Sequence, residues 1–276
     1  MNRNDILIEA DELLAKIHDP NLRIFDATIT EETYLQRHIP GAVFFDHERF
    51  SDLDSPYMGT ILPEKRLAEQ IGNAGISNDS EVIVYACGMI PYAMRAWWVL
   101  RYAGHNNVRV LNGGLSAWEQ SGGKVEQEVR HYEPMSFRPH FTPSMFASKE
   151  EVLASTKDGD VAIVDVLPLG SYEARHIVGS MCLPCMDLMK GLDYLLPDDQ
   201  LAHRLEELSN RKRIITYCGG GIAATVNAVA HLIIGHDNVA VYDGSMYEWL
   251  GEKLPTVGTG KWEVWMQPQT GPSDGK

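Results

Sequence analysis

The chain has 276 residues, and 38 acidic against 24 basic side chains give it a formal charge of −14 at pH 7. At about 100 to 200 residues per domain this length predicts one large domain or two ordinary ones, and 44% hydrophobic residues exclude a disordered chain. The negative charge argues against a nucleic-acid partner, and no apolar run reaches the roughly 18 residues that a membrane helix needs.

Taken in chain order, short apolar runs alternate with segments of helical spacing. Residues 23–26, 161–165 and 214–217 are typical of buried strands, whereas residues 63–74 and 198–208 carry apolar side chains at helical spacing. Short strands that alternate with helices predict an α/β fold with a mostly parallel sheet. In such sheets ligands bind at the carboxyl ends of strands, so chemistry is expected there.

The same series of motifs occurs twice along the chain. The motif that begins at His38 recurs at His176, an offset of 176 − 38 = 138 residues, and the motif that ends at Trp118 recurs at Trp249, an offset of 249 − 118 = 131 residues. A repeat of this length indicates a duplicated domain rather than a solenoid.

We therefore expect four parts in the chain. Residues 1–130 form a first domain and residues 144–258 a second, and the proline-bearing residues 131–143 between them are typical of an extended linker. A tail, residues 259–276, contains two tryptophans that indicate docking on the body of the protein or on another subunit. The sequence carries no prediction of oligomeric state.

A cysteine follows one of the predicted strands of the second half. Cys218 comes directly after residues 214–217, and three glycines and an apolar helix follow it. Glycines allow the backbone to curl around the sulfur with its N–H groups pointing inward, and the helix adds its positive end; both effects favour a thiolate nucleophile. A buried, inert cysteine before a flexible turn is the alternative. In the first half Ala86 takes the place of Cys218 and Cys87 is one residue out of phase, so we expect only the second half to carry the nucleophile.

The chain resembles the two-domain rhodanese-like sulfurtransferases, which include thiosulfate and 3-mercaptopyruvate sulfurtransferases. The resemblance rests on residues 38–46, 51–57, 95–105 and 112–118 together with the cysteine loop of the second half, and it covers nearly the whole chain. It implies an α/β protein of two tandem rhodanese-like domains, each a mostly parallel sheet with helices on both faces, with an inactive first domain and a catalytic second one.

The resemblance also implies a two-step reaction without a cofactor or metal. Cys218 takes a sulfane sulfur from a small-molecule donor, forming a persulfide, and passes it to a thiol or cyanide acceptor. The backbone N–H groups that stabilise the persulfide belong to five loop residues: Gly219, Gly220, Gly221, Ile222 and Ala223.

Departures from the family pattern bear on the donor. Residues 219–224 contain no Arg or Lys, which thiosulfate-using members have there to hold a dianion, and Leu167 stands where mercaptopyruvate enzymes tend to carry an arginine. A histidine expected before Pro63 is also absent. Losing a charged partner costs about 1.5 to 3 kcal/mol, so either standard donor should bind more weakly. Arg175 is the nearest candidate for a replacement cation, and the uncharged loop favours 3-mercaptopyruvate over thiosulfate.

Further residues are predicted at a substrate pocket between the domains. Tyr92 and Arg95 follow the degenerate loop of the first half, and Tyr57 lies in one of the motifs that carry the resemblance. Cys182 and Cys185 form a C-x-x-C pair, which we interpret as structural thiols because no second pair accompanies it to complete four metal ligands.

Three alternatives remain at this point. A cysteine phosphatase on the same fold needs an arginine six residues after its cysteine, where this chain has Ala224. A sulfur-carrier or partner-binding module would accept sulfur without turnover, and a degenerate homologue would have lost transfer altogether. The start of the chain lacks the layout of a secretory signal, which predicts a cytoplasmic protein whose cysteines are free thiols.

Overall fold

The computed structural model of the protein describes residues 1–266. Within them the strands are β1 (Leu7–Ile8), β2 (Leu22–Asp26), β3 (Val43–Phe44), β4 (Glu81–Tyr85), β5 (Val108–Leu111), β6 (Phe146–Ala147), β7 (Val161–Asp165), β8 (His176–Ile177), β9 (Met181–Cys182), β10 (Met189–Lys190), β11 (Tyr194–Leu195), β12 (Arg213–Tyr217), β13 (Val239–Tyr242) and β14 (Thr256–Val257). The α-helices are α1 (Arg3–Ile6), α2 (Ala10–Lys16), α3 (Glu31–Gln36), α4 (Glu64–Asn73), α5 (Ile90–Tyr102), α6 (Gly114–Gln120), α7 (Lys149–Ser155), α8 (Leu169–Ala174), α9 (Asp198–Leu205), α10 (Ala224–Ile233) and α11 (Ser245–Gly251). Short 3-10 helices cover His47–Phe50, Pro143–Met145, Cys185–Leu188 and Glu206–Leu208.

Each half of the chain builds one five-stranded sheet whose neighbouring strands are all parallel. The orders are β1-β5-β4-β2-β3 and β6-β13-β12-β7-β9, so the two sheets have the same topology. The central strands β4 and β12 are apolar runs whose last four residues are buried, as strands covered on both faces require. The predicted α/β fold of two repeated, mostly parallel domains is confirmed.

Helices α5 and α10 occupy equivalent positions in the two halves and pack against each other. All ten residues of α10 are buried, and α5 is buried from Ile90 to Leu100 except at Tyr92. Helices that are buried on every side need packing partners on every side, and here the sheet of each half and the helix of the other half provide them. One hydrophobic cluster therefore includes residues of both halves. In the part of the chain that the structure describes, every helix is too short or too polar to cross a bilayer.

Residues 131–142 contain no helix or strand and run along the first half. Tyr132 Oη accepts a hydrogen bond from Ile24 N at 2.9 Å and donates one to Gly41 O at 2.9 Å. Further along, the His140 N–H donates to Ala103 O. These contacts hold residues 131–142, which connect the two halves, against the surface of the first half.

A segment of each half reaches the other half's strand-to-helix loop. The β10–β11 hairpin of the second half lies on the loops after β4 and β5. Ile90 N, at the end of the first loop, donates to Leu192 O, and Gly113 N, in the second, donates to Asp193 O, both at 2.9 Å. In return, residues 51–62 of the first half lie beside the loop after β12. The equivalent loops are thus each covered by the opposite half.

Candidate active site

Cys218 lies at the carboxyl edge of the second sheet. It follows the last residue of β12, whose parallel neighbours are β7 and β13, and a loop of residues 218–223 leads from it into α10. Its side chain is only 3% exposed, yet it borders a cavity of about 310 Å³. The sulfur is therefore nearly withdrawn from bulk water but faces space that a small molecule can enter.

The loop owes its shape to Ser245, at the start of α11. Ser245 Oγ accepts hydrogen bonds from Cys218 N at 3.1 Å and Gly221 N at 3.2 Å, and it donates to Tyr242 O at 2.7 Å. Both Gly221 (φ +76°) and Ser245 (φ +49°) occupy the left-handed region, which is costly for a residue with a side chain. Because the Ser245 hydroxyl accepts hydrogen bonds from two loop amides, it stabilises the curled conformation of the loop.

Four amides of the loop have no hydrogen-bond partner within residues 1–266, namely those of Gly219, Gly220, Ile222 and Ala223. The sequence predicted five such amides around the sulfur. The structure removes Gly221 from that set, because its N–H donates to Ser245 Oγ. Together with the positive end of α10, the remaining amides can stabilise an anion on the Cys218 side chain.

Arg95 braces the loop from the first half of the chain. Its Nη2 lies 2.7 Å from Asp243 Oδ1 and donates to Gly59 O at 2.9 Å, while its Nη1 donates to Gly221 O at 3.4 Å. The Arg95 side chain is 5% exposed and that of Asp243 13%. Asp243 also accepts the N–H of Ile61 through Oδ2, at 2.7 Å. Arg95 was predicted at the substrate pocket; in the structure its guanidinium contacts the carboxylate of Asp243 and two backbone carbonyls behind the loop, and Arg95 does not line the cavity.

The first half approaches the loop so closely that only glycine fits at the contact. A Cβ on Gly59 would lie 2.6 Å from Gly220 O, and a Cβ on Gly220 would lie 2.7 Å from Met58 O. Such distances are shorter than any real Cβ contact, so neither position accepts a side chain without movement of the backbone.

The cavity at Cys218 has apolar walls drawn from three parts of the chain. The first half contributes Ile29, Met58, Gly59, Met89, Pro91 and Tyr92; the second half contributes Leu167, Cys218, Gly219, Gly220, Ile222, Ala223 and Tyr247; and Val264 and Trp265 come from the tail. No charged side chain of the described residues lines it. Burial, and next the charge of nearby Cys218, raises the pKa of Tyr247, and burial also raises that of Tyr92. Both hydroxyls stay protonated near neutral pH.

Of the other residues predicted at the pocket, Tyr92 lines the cavity, whereas Arg175 and Tyr57 do not. Arg175 directly follows α8 and caps its C-terminus, with its N–H donating to Ser171 O. Tyr57 packs on Gly251 and donates to Glu252 Oε1 at 3.4 Å, on the outer side of α11. The geometry gives the predicted substrate contacts of Arg175 and Tyr57 no support, because neither belongs to the wall of this cavity.

The tail closes one side of the cavity, and a buried serine anchors it. Ser171 Oγ donates to Val264 O at 3.0 Å and accepts the N–H of Met266 at 2.9 Å. Trp262 packs on Tyr247 with ring centroids 5.9 Å apart, while Trp265 is 52% exposed at the cavity's rim. Docking of the tail on the body of the protein is what the structure shows for residues up to 266; residues 267–276 of the predicted tail lie outside the described residues.

The corresponding loop of the first half has a similar frame with Ala86 in place of Cys218. Leu115 N donates to Ala86 O just as Met246 N donates to Cys218 O, which places Ala86 at the position of Cys218. Cys87 is half-buried, and burial raises the pKa of its thiol. The β10–β11 hairpin covers this loop.

Cys182 and Cys185 are free thiols close to the second sheet. Burial raises the pKa of each to about 12, so both stay protonated at neutral pH. Within the described residues no cluster of three His, Cys, Asp or Glu side chains is arranged to hold a metal ion.

Ser245 and Asp243 are the site residues that sequence reasoning missed. Both lie in the repeated motif at residues 243–249, where Ser245 aligns with Gly114 of the first half. Gly114 also has a positive φ, of 54°. The sequence shows only that a serine stands where the first half has a glycine. The left-handed φ, which makes this exchange unfavourable unless the side chain is used, is seen only in the structure.

Comparison with known proteins agrees with this geometry. The rhodanese-like domain family matches residues 9–121 and 148–252. The chain is 33% identical over 259 residues to the thiosulfate sulfurtransferase of Bos taurus (86% of this chain, 87% of the relative) and 30% identical over 263 residues to the 3-mercaptopyruvate sulfurtransferase of Escherichia coli K12 (88% and 94%). The crystal structure of SseA from Escherichia coli, a 3-mercaptopyruvate sulfotransferase, superimposes with a TM-score of 0.80 at 30% identity, covering 89% of this chain and 99% of that one. With two matched domains on two equivalent sheets, the chain belongs to the two-domain rhodanese-like sulfurtransferases.

Proposed function

We propose that the protein transfers a sulfane sulfur through a persulfide on Cys218, with the second half of the chain as the catalytic domain and the first as one wall of its pocket. The observation that carries this proposal is the position of Cys218. Among the described residues it is the only cysteine that lines the cavity, and four amides of its loop have no hydrogen-bond partner within residues 1–266. A thiolate there can attack the donor sulfur, and the amides can hold the persulfide anion that results.

The proposed donor is 3-mercaptopyruvate in preference to thiosulfate. The Cys218 thiolate attacks the donor sulfur, the C–S bond breaks, and its electron pair leaves on the enolate of pyruvate, which takes up the proton that the donor thiol loses. A cavity without a cation among its described walls must strip water from the donor without replacing it by an opposite charge, and this costs more for a dianion than for a monoanion.

The second step returns the enzyme to its starting state. A thiolate or cyanide acceptor attacks the outer sulfur of the persulfide, the S–S bond breaks, and the Cys218 thiolate leaves with the bonding electrons. The products are a new persulfide or thiocyanate, and no cofactor is consumed.

Intact-mass measurement after incubation with each donor tests the proposal. We expect the mass to rise by one sulfur atom, on the Cys218 peptide, with more complete loading from 3-mercaptopyruvate than from thiosulfate. Cys218→Ser should not load, while the matched variant Cys87→Ser should load like the parent chain. Loading on another cysteine, or none, contradicts the persulfide, and faster loading from thiosulfate contradicts the donor preference.

Acceptor turnover separates an enzyme from a sulfur carrier. Addition of cyanide or a small thiol to the loaded protein should remove the extra sulfur and release thiocyanate or a new persulfide over many cycles. A persulfide that persists in the presence of both acceptors would instead favour the carrier.

A further inference from the structure

A second cavity lies at the outer edge of the first sheet, apart from Cys218. Strand β3 is the last strand of that sheet and pairs on one side only, with β2. The cavity beside it, here called the edge cavity, has a volume of about 330 Å³, which lies at the lower end of the range for binding sites. Its walls come from β2, β3, α3, the end of α4 and residues 129–132, and it shares no lining residue with the cavity at Cys218.

The backbone of β3 offers hydrogen bonds to the edge cavity. Phe45 N donates to Asp26 O at 2.8 Å, and the strands are parallel, so alternate residues Val43 and Phe45 face β2 while the N–H and C=O of Phe44 point away from it. Those two groups have no hydrogen-bond partner within residues 1–266, and neither has the N–H of Asp46. An unpaired sheet edge of this kind is a template on which an extended chain can add as a further strand.

The edge cavity has walls on both faces of the sheet, as a further strand would need. Successive side chains of a strand point to opposite faces, so Phe44 lies on one face and Val43 and Phe45 lie on the other. Tyr34 of α3 packs beside Phe44, with ring centroids 5.8 Å apart, whereas Phe45 belongs to the same hydrophobic cluster as Leu67 of α4. Alternate side chains of an added strand would therefore meet α3 on one face and α4 on the other.

The charges in the walls favour a basic ligand. Each arginine there already has a carboxylate partner: Arg49 Nε lies 3.3 Å from Asp46 Oδ2, and Arg130 Nε lies 2.8 Å from Glu126 Oε1. In the part of the chain that the structure describes, the carboxylate of Glu31 has no cationic partner. This group attracts a basic side chain, and the formal charge of −14 attracts a basic partner from a distance.

We propose that the edge cavity binds an extended, basic segment of a partner protein, which adds antiparallel to β3 as a sixth strand of the first sheet. The residue opposite Phe44 exchanges two backbone hydrogen bonds with it and extends a Lys or Arg side chain to Glu31. The residues on either side of that Lys or Arg point to the face of α4, where apolar side chains are buried against Val43 and Phe45. The segment therefore has the pattern apolar, basic, apolar.

Peptides of five residues test the proposal on the full chain. Fluorescence anisotropy should show saturable binding of labelled Ser-Phe-Lys-Val-Ser below about 1 mM. A methyl group on the backbone nitrogen of its lysine should weaken binding about tenfold, because that nitrogen can no longer donate to Phe44 O, and Glu in place of Lys should weaken it about fivefold. No binding of the parent peptide, or equal binding of either altered peptide, would overturn the proposal.

Variants at the edge separate the backbone from the side chains. Phe44→Pro removes the outward N–H, and Phe44→Ala removes the same ring but keeps that N–H, so the Pro variant should bind the parent peptide about tenfold more weakly than the Ala variant. Glu31→Gln should weaken binding about threefold, whereas Glu32→Gln, at an exposed neighbour outside the walls, should not. Circular dichroism checks that all four variants fold. Equal affinities within either matched pair would contradict the proposed contacts.

Sedimentation of the chain without peptide tests the other occupant of the edge, a second copy of the same chain. We expect the parent, Phe44→Pro and Phe44→Ala to sediment alike. If the parent forms a dimer that Phe44→Pro dissociates and Phe44→Ala does not, β3 pairs with a second copy, and the partner segment proposed here is wrong.

Discussion

At the scale of single residues, the loop at Cys218 depends on side chains that do not touch sulfur. Ser245 holds the amides of Cys218 and Gly221 and accepts the left-handed conformation needed to do so. Leu167 occupies part of the cavity wall and supplies no charge. The sequence was sufficient to single out Cys218 and its loop as the candidate site, because a cysteine beside three glycines is a local pattern. It was insufficient for Ser245, whose role depends on where a distant strand ends.

We predict that Ser245→Ala lowers kcat/KM for sulfur loading about tenfold and the free energy of unfolding by about 1 to 3 kcal/mol, because two buried amides lose their acceptor. Stopped-flow loading and urea denaturation measure the two effects. Ser155→Ala, which removes another buried hydroxyl, on α7, is the control for stability and should load normally. Full loading activity in Ser245→Ala would show that the loop holds its shape without this hydroxyl.

A second residue-scale prediction concerns Leu167. Leu167→Arg introduces a guanidinium into the cavity wall, so KM for thiosulfate and for 3-mercaptopyruvate should fall at least tenfold, in line with about 1.5 to 3 kcal/mol for a charged hydrogen bond. Leu167→Met, a long side chain without charge, should leave both values near those of the parent. Steady-state assays of the three proteins, each checked for folding by circular dichroism, decide the matter; equal KM values in all three would count against the uncharged wall as the cause of weak anion binding.

At the scale of elements, the strand-to-helix unit β12–α10 was predictable, and the edges of the sheets were not. The run at residues 161–165 coincides with β7, and the helical spacing of residues 63–74 gives α4 to within one residue at each end. Edge strands β1 and β6 have two residues each, too few for any periodic pattern, and they form only because β5 and β13 present unpaired edges. Residues 198–208 divide into α9 and a 3-10 turn.

Strand β7 ends at Asp165, whose buried side chain is less stable as a carboxylate anion than it would be in water. Burial raises the pKa of Asp165 to about 6, although the Leu167 N–H donates to Oδ1 at 3.0 Å, and Oδ2 has no partner within residues 1–266. Between pH 3.8 and 6 the folded state therefore binds more protons than the unfolded state does, and stability falls as pH rises through this window.

We accordingly predict that Asp165→Asn gains stability relative to the parent as pH rises from 4 to 7. The shift of 6 − 3.8 = 2.2 pKa units corresponds to a change of up to about 3 kcal/mol in the difference between the two proteins. Urea denaturation of both proteins at pH 4, 5, 6 and 7 gives that difference directly. A constant difference across the four pH values would show that the carboxyl group is not titrating differently in the folded state.

At the scale of the whole molecule, one buried ion pair joins the halves at the loop. Arg95 comes from α5 of the first half, and Asp243 follows β13 of the second. The repeat predicted two halves, and the resemblance implied a pocket between them. No local pattern showed that Arg95 would brace the loop rather than face substrate, because that depends on how α5 and α10 pack.

We predict that Arg95→Met lowers the free energy of unfolding by about 3 to 5 kcal/mol, since the Asp243 carboxylate is left buried without its cation. The double variant Arg95→Met/Asp243→Asn should recover much of this loss, because Asn removes the charge and keeps an oxygen for the Ile61 N–H. Denaturant unfolding of the parent, the single variants and the double variant completes the cycle. If the double variant is no more stable than Arg95→Met, the cost does not arise from a stranded charge.

The crossing of segments between the halves has a consequence for how the first half is constrained. The β10–β11 hairpin docks on two of its loops: Ile90 N, after the loop at Ala86, and Gly113 N, after β5, donate hydrogen bonds to the hairpin backbone. Gly113 has no room for a side chain beside Tyr194. Substitutions in these loops that keep the shape of the surface under the hairpin are therefore tolerable, whatever they do to sulfur chemistry. Larger side chains that fill the contact would displace the hairpin. The loop that carries Ala86 at the position of Cys218 is therefore constrained by the shape of the hairpin that lies on it.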